Sequence, residues 1–262
     1  MVMRGEEVAR SPFSVARYVD VLTELGIAAI AVVAYLAVGR ITVDRTAEAV
    51  TNAHHVMRLE QVLGMDWEHA FQDVVTALPW WSEVVTQFYV WGYFPTLVPV
   101  VVWLYLRHRD AYRPLRNALA ASGVVGLVVY ATFPCAPPWI GGSGYTDTVA
   151  QGPFYDVARP GGITNHLGAI PSFHVGWVIL VAVAVYRAAR SPLLRGMAVA
   201  WPVAMSYAVI ATGNHWVLDV PSGALLALIG LAIASMLPAS GPERLRGLRQ
   251  AWRRPPPTST PA

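Results

Sequence analysis

Two histidines and an aspartate stand at the ends of long apolar segments in this chain of 262 residues. His174 closes the sequence PSFH, and His215 and Asp219 belong to the sequence GNHWVLD. Ionisable side chains beside hydrocarbon are energetically unfavourable, so they usually have a functional role. Histidine supplies a nucleophile or a proton-transfer group near neutral pH, and a carboxylate can hold its ring in place. These three residues are therefore the candidate catalytic set.

The spacing of these residues indicates the kind of chemistry. His215 and Asp219 are four residues apart, which places them on one face of a helix. The carboxylate would then hold one imidazole nitrogen and leave the other free to attack. Pro171 and Ser172 mark the start of another apolar segment, where a helix N-terminus offers unpaired N–H groups to an anion. A phosphate fits such a site.

Composition predicts the fold class. Hydrophobic residues make up 55% of the chain and charged residues 13%, and the apolar residues form long runs. A bilayer core needs about 20 mostly apolar residues per helix. We predict an all-α integral membrane protein with a bundle of six transmembrane helices. The candidate spans are residues 21–39, 84–106, 115–133, 171–189, 193–212 and 216–237.

The remaining segments complete one membrane domain over residues 15–238. Residues 42–79 carry a helical pattern with several acids and predict a pair of interfacial helices. Residues 134–170 form a long loop, rich in glycine and proline, that is a candidate lid or substrate platform. Residues 1–14 are predicted to be a polar tail, and residues 239–262 a basic, proline-rich, disordered tail. A cleaved signal peptide remains an alternative interpretation of the first span, although no small-residue cleavage site follows it.

The arginines predict the orientation. The chain has no lysine, and its arginines concentrate before span one, between spans two and three, between spans four and five, and after span six. With six spans these segments share one side, and the arginine bias makes that side cytoplasmic. We therefore predict a multi-pass protein of the cell membrane with both termini in the cytoplasm. His174 and His215 then both lie at the outer surface.

Several classes of function are disfavoured. A single cysteine, Cys135, excludes an internal disulfide framework and a multi-cysteine metal site. The scattered arginines lack the aromatic platforms of a nucleic-acid surface, so no nucleic-acid partner is expected. Two histidines and an aspartate can bind zinc. However, Asp219 is placed to orient His215, so we predict neither a metal nor another cofactor. Protein partners are left open.

The two motifs resemble the second and third signature motifs of the type 2 phosphatidic acid phosphatase superfamily. The segments FPCAPPW (133–139) and LEQVLGMDWEHAFQ (59–72) are similar to the branch that contains inositol phosphorylceramide synthase. The resemblance implies that His215 is the nucleophile that forms a phosphohistidine. It also implies that Asp219 orients His215 and that His174 protonates the leaving alkoxide.

Part of the superfamily pattern is missing. The first motif needs a lysine followed seven residues later by Arg-Pro, and Arg107 with Arg113 does not replace it because both are predicted to face the cytoplasm. Ala208 and Val209 stand where the third motif has Ser-Arg. Other groups must then bind the phosphate. The predicted substrate-binding residues are Ser172, Arg159, Asn214 and Thr212.

The predicted function is that of a membrane lipid phosphotransferase with a phosphohistidine intermediate, which moves a phosphoinositol-type or related headgroup to a lipid or alcohol acceptor. A lipid or polyprenyl phosphate phosphatase, in which water is the acceptor, is the alternative within enzymes. From another class, the chain could be a non-catalytic lipid-binding or transport protein on the same scaffold. The intact set of His174, His215 and Asp219 argues against that last interpretation.

Overall fold

A computed structural model describes residues 15–142, 144–159 and 164–237. Within this part of the chain the regular structure is helical, and an isolated bridge pairs Cys135 with Gly168. The all-α fold class is therefore confirmed. The helices are α1 (Val15–Thr42), α2 (Thr46–Leu63), α3 (Glu68–Ala77), α4 (Pro79–Trp91), α5 (Phe94–Arg107), α6 (Arg109–Thr132), α7 (Pro138–Gly141), α8 (Tyr155–Ala158), α9 (Phe173–Ala188), α10 (Pro192–Ala211) and α11 (Asp219–Met236).

The apolar helices match the predicted segments, but the span count differs from six. In the described part of the chain, α1, α6, α10 and α11 are long and apolar enough to cross a membrane. The second predicted segment is broken into α4 and α5, which meet at a bend of 41° and make a fifth span if they cross together. Helix α9 is apolar but has only 16 residues, about 24 Å, which is less than the bilayer core. Four or five spans are therefore supported, and a sixth remains a prediction.

Glycines bring the helices that carry the two motifs close together. A Cβ on Gly176 of α9 would lie 2.7 Å from the carbonyl oxygen of Gly223 in α11, and one on Gly223 would lie 2.5 Å from that of Ser172. Small residues permit this close backbone approach between membrane helices. The Ser172 N–H accordingly donates to the Asp219 carbonyl at 3.3 Å. The starts of α9 and α11 are thus fixed side by side.

Helix α1 is joined to α5 and α6 by charged and tyrosine side chains. Arg109 pairs with Asp20 at 2.7 Å, and Arg116 pairs with Glu24 at 2.8 Å. Tyr105 and Tyr112 donate to the same two carboxylates. Much of the rest of α1 exposes apolar side chains. These ion pairs hold the N-terminal part of α1 against the bundle.

The two non-span segments pack together around the motifs. Helices α2 and α3 occupy the stretch in which a helix pair was predicted, and the long loop contains the short helices α7 and α8. The two ends of the loop are held together by backbone hydrogen bonds. The N–H of Cys135 donates to the carbonyl of Leu167 at 2.8 Å, and the N–H of Ala169 donates to the carbonyl of Cys135 at 3.1 Å. Cys135 is fully buried there. The predicted tails, residues 1–14 and 239–262, lie outside the described residues.

Candidate active site

The PSFH motif forms the start of α9. Ser172 is the N-cap residue, and its Oγ accepts the N–H of Val175 at 3.3 Å. His174 therefore lies in the first turn of the helix. Other N–H groups of such a turn have no intrahelical acceptor and favour an anion. The motif thus presents a histidine beside an anion-binding helix end.

The GNHWVLD motif forms a tight turn between α10 and α11. Gly213 has φ +76°, and a Cβ there would lie 2.6 Å from the carbonyl oxygen of Thr146. A glycine is therefore required by both the backbone conformation and the available space. Trp216 is fully buried, and its indole N–H donates to the carbonyl of Ala136 at 2.8 Å. The turn is thus anchored to the loop that contains α7.

His215 and Asp219 form a buried pair. Nδ1 of His215 lies 2.9 Å from Oδ2 of Asp219, and the N–H of Trp216 donates to the same oxygen at 2.9 Å. His215 is 4% exposed and Asp219 is fully buried. With Nδ1 donating to the carboxylate, Nε2 is the free nitrogen, and it lies 3.4 Å from Oγ of Ser172. The nitrogen available for attack therefore faces the start of α9.

The second histidine lies next to the first, within an aromatic pocket. The ring centroids of His174 and His215 are 5.5 Å apart. Tyr93 and Tyr89 pack on His174 with centroid distances of 4.0 and 4.9 Å. Tyr93 directly precedes α5, so the break between α4 and α5 places it there. The sequence patterns did not indicate these tyrosines, because two tyrosines four residues apart in a predicted apolar helix are an ordinary packing pattern.

Arg159 supplies a buried cation near the nucleophile. It is 6% exposed, it pairs with both carboxylate oxygens of Asp147, and Nη2 lies 2.5 Å from Oδ1 of Asn214. Burial lowers the pKa of Arg159, but its hydrogen bonds and the Asp147 charge outweigh this and hold the pKa above its ordinary value. Its guanidinium also lies 4.9 Å from the ring centroid of Trp139. The charged guanidinium is thus held by Asn214, the residue that directly precedes His215.

The structure brings most of the predicted site residues together. The His174, His215 and Asp219 set lies with Ser172, and Arg159 joins it through Asn214. Thr212 contacts Asn214 and not the histidines. Its hydroxyl donates to the Ala208 carbonyl at 2.7 Å and accepts from Asn214 at 3.0 Å. It therefore orients the Asn214 amide.

Arg107 and Arg113 are separated from this site. Tyr130, near the end of α6, donates to the carbonyl of Pro171 at 2.9 Å, so that end of α6 adjoins the site. Arg113 lies 17 residues earlier in the same helix, about 25 Å along its axis. Arg107 ends α5, directly before α6 begins. Neither arginine contributes to the site.

No group of three histidine, cysteine, aspartate or glutamate side chains in the described part of the chain is arranged to hold a metal ion. Two glutamates nevertheless reach the motif, and no site role for them was predicted. Glu68 accepts the N–H of Val217 and Glu60 accepts the N–H of Leu218, each at 2.7 Å. Both glutamates fall in the segment 59–72, which the sequence marked only as a family resemblance.

Comparison with known proteins agrees with this geometry. Residues 54–242 match the PAP2 superfamily, which covers well over half of the chain. The chain therefore belongs to the PAP2 superfamily, and it is a membrane enzyme of phosphoryl transfer or hydrolysis on lipid substrates. Its fold is similar to that of LpxE from Aquifex aeolicus, with a TM-score of 0.53 and 18% identity over 66% of this chain and 94% of that one. No curated protein matches the chain.

Proposed function

We propose that this protein is a membrane lipid phosphotransferase that acts through a phosphohistidine on His215. The observation that carries the proposal is the position of the His215 ring. Asp219 holds Nδ1 at 2.9 Å, while Nε2 faces the start of α9 beside His174. An imidazole held in this way has the tautomer and the direction required of a nucleophile.

In the first half-reaction, Nε2 of His215 attacks the phosphorus of a lipid phosphoester. An N–P bond forms, and the bond between phosphorus and the leaving alkoxide oxygen breaks. His174 donates a proton to that oxygen as general acid. Asp219 stabilises the positive charge on the His215 ring. His174 is only partly buried, so its ring can reach the leaving group.

In the second half-reaction, the hydroxyl of an acceptor attacks the phosphohistidine. Its oxygen forms the new bond to phosphorus, the N–P bond breaks, and its proton passes to His174, which then acts as base. Both histidines return to their starting states. An alcohol acceptor gives transfer and water gives hydrolysis, so both outcomes share the first half-reaction.

The phosphate oxygens are bound by Arg159 and by the start of α9. Arg159 is the cation nearest to His215 along the described hydrogen-bond network, and Asn214 links the two. Ser172 supplies a hydroxyl 3.4 Å from Nε2 and caps the helix end. Charge-assisted donors and a helix N-terminus together stabilise the charge that develops on a transferring phosphoryl group.

The membrane arrangement is part of the proposal. Six spans, with α4 and α5 counted as one and α9 as a short one, place both termini in the cytoplasm and the site at the outer face of the cell membrane. The arginine distribution supports this orientation. The lipid phosphate then enters the site from the outer leaflet.

The acceptor is tested with purified protein and phosphatidylinositol labelled in its headgroup, offered with and without an acceptor lipid such as ceramide or a diacylglycerol whose acyl chains differ from those of the donor. Transfer predicts a new labelled lipid that depends on the acceptor, and the resemblance to the inositol phosphorylceramide synthase branch supports this outcome. Release of labelled inositol phosphate at the same rate with every acceptor would contradict transfer and show that water is the acceptor. Absence of any labelled product from phosphatidylinositol would contradict transfer of a phosphoinositol headgroup, and release of phosphate from a lipid or polyprenyl phosphate by the same protein would then favour the phosphatase alternative.

Arg159→Ala is expected to lower kcat/KM by about ten- to a hundredfold, because charge-assisted hydrogen bonds contribute about 1.5–3 kcal/mol each. Arg159→Lys should fall between wild type and Arg159→Ala, since lysine keeps the charge but not the planar fork of donors. Arg58→Ala is the matched control, because Arg58 is an exposed arginine of α2. Equal activities of Arg159→Ala and Arg58→Ala would remove Arg159 from the phosphate site.

A further inference from the structure

Two carboxyl groups from outside the signature motifs end on the backbone of the catalytic turn. Oε1 of Glu68, in α3, accepts the N–H of Val217 at 2.7 Å, and Oε1 of Glu60, in α2, accepts the N–H of Leu218 at 2.7 Å. Val217 and Leu218 lie between His215 and Asp219 and directly precede α11. The two glutamates therefore hold consecutive amides of the segment that joins the nucleophile to its orienting carboxylate.

In the part of the chain that the structure describes, both carboxyl groups are buried and neither pairs with a cation. Glu60 is fully buried and Glu68 is 2% exposed. Among the ion pairs of the described residues, none includes either glutamate. Charged side chains are rarely buried in this way unless they are paired. Some other arrangement must therefore neutralise one of the two charges.

The geometry indicates what that arrangement is. Oε2 of Glu60 is buried, and no donor from the described residues reaches it. The carboxyl groups of Glu60 and Glu68 lie side by side, because they accept the N–H groups of the consecutive residues Leu218 and Val217. Burial raises the pKa of Glu60 to about 9, and the nearby Glu68 and Asp219 add to the effect. Two adjacent buried carboxyl groups that share one proton avoid placing two like charges together.

We propose that Glu60 and Glu68 are positioning residues that share one proton and together fix the turn that carries His215 and Asp219. A proton on Oε2 of Glu60 is donated to Glu68, and each Oε1 accepts one backbone N–H of the turn. The role in catalysis rests on His215 being the nucleophile, as proposed above. The shared proton itself does not depend on that function.

The consequence for chemistry is geometric. The N–H groups of Val217 and Leu218 precede a helix whose first residue is Asp219, so movement of these amides would shift the carboxylate that orients His215. Displacement of a reacting group by about 1 Å can lower a rate by about a hundredfold. The neighbouring groups Asp219, Cys135 and Tyr145 do not supply a positive charge. A proton shared by Glu60 and Glu68 therefore neutralises one of the two carboxylates.

Glutamine substitutions test the shared proton. Glu60→Gln and Glu68→Gln each keep a carbonyl acceptor for the turn and an N–H donor for the remaining carboxylate. Each single variant is expected to retain kcat within about threefold of wild type, since the donor and acceptor set is preserved. The double variant places two amide donors against each other and should lose about a hundredfold in kcat, with KM little changed. Glu60→Ala and Glu68→Ala should each lose activity, because a backbone N–H of the turn is left without its acceptor.

Glu83→Gln is the matched control, because Glu83 is an exposed glutamate of α4. Size-exclusion elution and thermal unfolding in detergent identify any variant that does not fold. A double glutamine variant as active as the single ones would overturn the proposal. Single glutamine variants as impaired as the alanine variants would also overturn it, because they would show a requirement for two negative charges.

A spectroscopic measurement needs neither substrate nor the double variant. Infrared spectra of the wild-type protein are expected to contain the carbonyl stretching band of a protonated, buried carboxylic acid. The band should disappear in both Glu60→Gln and Glu68→Gln, since each leaves a single carboxylate beside an amide, and it should persist in Asp219→Asn. A band unchanged in both glutamine variants would refute the shared proton. Because no turnover is involved, that failure is distinguishable from failure of the phosphohistidine mechanism.

Discussion

Replacement of His215 by glutamine is expected to abolish turnover of the lipid substrate. The variant lacks the nucleophilic Nε2, so no phosphoenzyme forms and the first half-reaction cannot begin. Removal of a catalytic nucleophile lowers kcat by about six orders of magnitude in a well-studied hydrolase. We expect a loss of comparable size, to the background of the assay. The loss is measured as the rate at which detergent-solubilised protein releases labelled headgroup from the lipid.

The control for this substitution is His54→Gln. His54 is an exposed histidine of α2, so the variant should keep wild-type activity. Substrate binding by His215→Gln should be retained, because the phosphate-binding groups Arg159 and Ser172 are unchanged. Turnover by His215→Gln within tenfold of wild type would contradict the assignment of His215 as nucleophile.

Asp219→Asn is expected to have the second-largest effect. The carboxylate accepts the Nδ1 proton of His215 at 2.9 Å and thereby leaves Nε2 unprotonated. Asparagine carries no negative charge to stabilise the positively charged ring, and where its amide N–H faces Nδ1 the proton is placed on Nε2, which blocks attack. The equivalent change in a serine protease lowers kcat by about 10⁴-fold. We expect a loss of about three to four orders of magnitude in kcat, with KM changed much less, measured by the same assay.

Asp73→Asn provides the comparison, because Asp73 is an exposed carboxylate of α3. A decrease in kcat of Asp219→Asn by less than tenfold would indicate that the carboxylate only stabilises the turn. An unchanged kcat with a large increase in KM would indicate a role in substrate binding instead. Thermal unfolding separates either result from simple misfolding, since Asp219 also accepts the N–H of Trp216.

The helices and the catalytic candidates were predictable because the signals are local. The apolar runs predicted the apolar helices of the described bundle. Helical spacing predicted that His215 and Asp219 lie close together, but the structure brings them together through a turn, because α11 begins at Asp219. The N-cap at Ser172 is likewise a property of a few neighbouring residues. The break between α4 and α5 was missed, because the averaged apolarity of residues 84–106 is continuous across it. This break and the short length of α9 are the reasons that four or five spans are supported instead of six.

The surroundings of the site were not predictable, since they depend on contacts between distant parts of the chain. Glu68 and Val217 are 149 residues apart, and Glu60 and Leu218 are 158 apart. The pairing of Arg159 with Asp147 and the stacking of Tyr93 on His174 also join separate elements. A single sequence carries no periodic signal for such contacts. Only the fold shows that helices α2 and α3 hold the catalytic turn.

In the proposed mechanism, His215 carries the phosphoryl group between the two half-reactions. The most direct measurement is rapid acid-free denaturation of the enzyme during turnover of a phosphorus-labelled lipid, followed by peptide mass spectrometry and chemical-stability tests of the label. We predict an acid-labile, alkali-stable phosphoryl group on the peptide that contains His215. The label should be present at equal levels in wild type and His54→Gln and absent from His215→Gln. Label on another residue, or equal labelling of His215→Gln, would contradict the account.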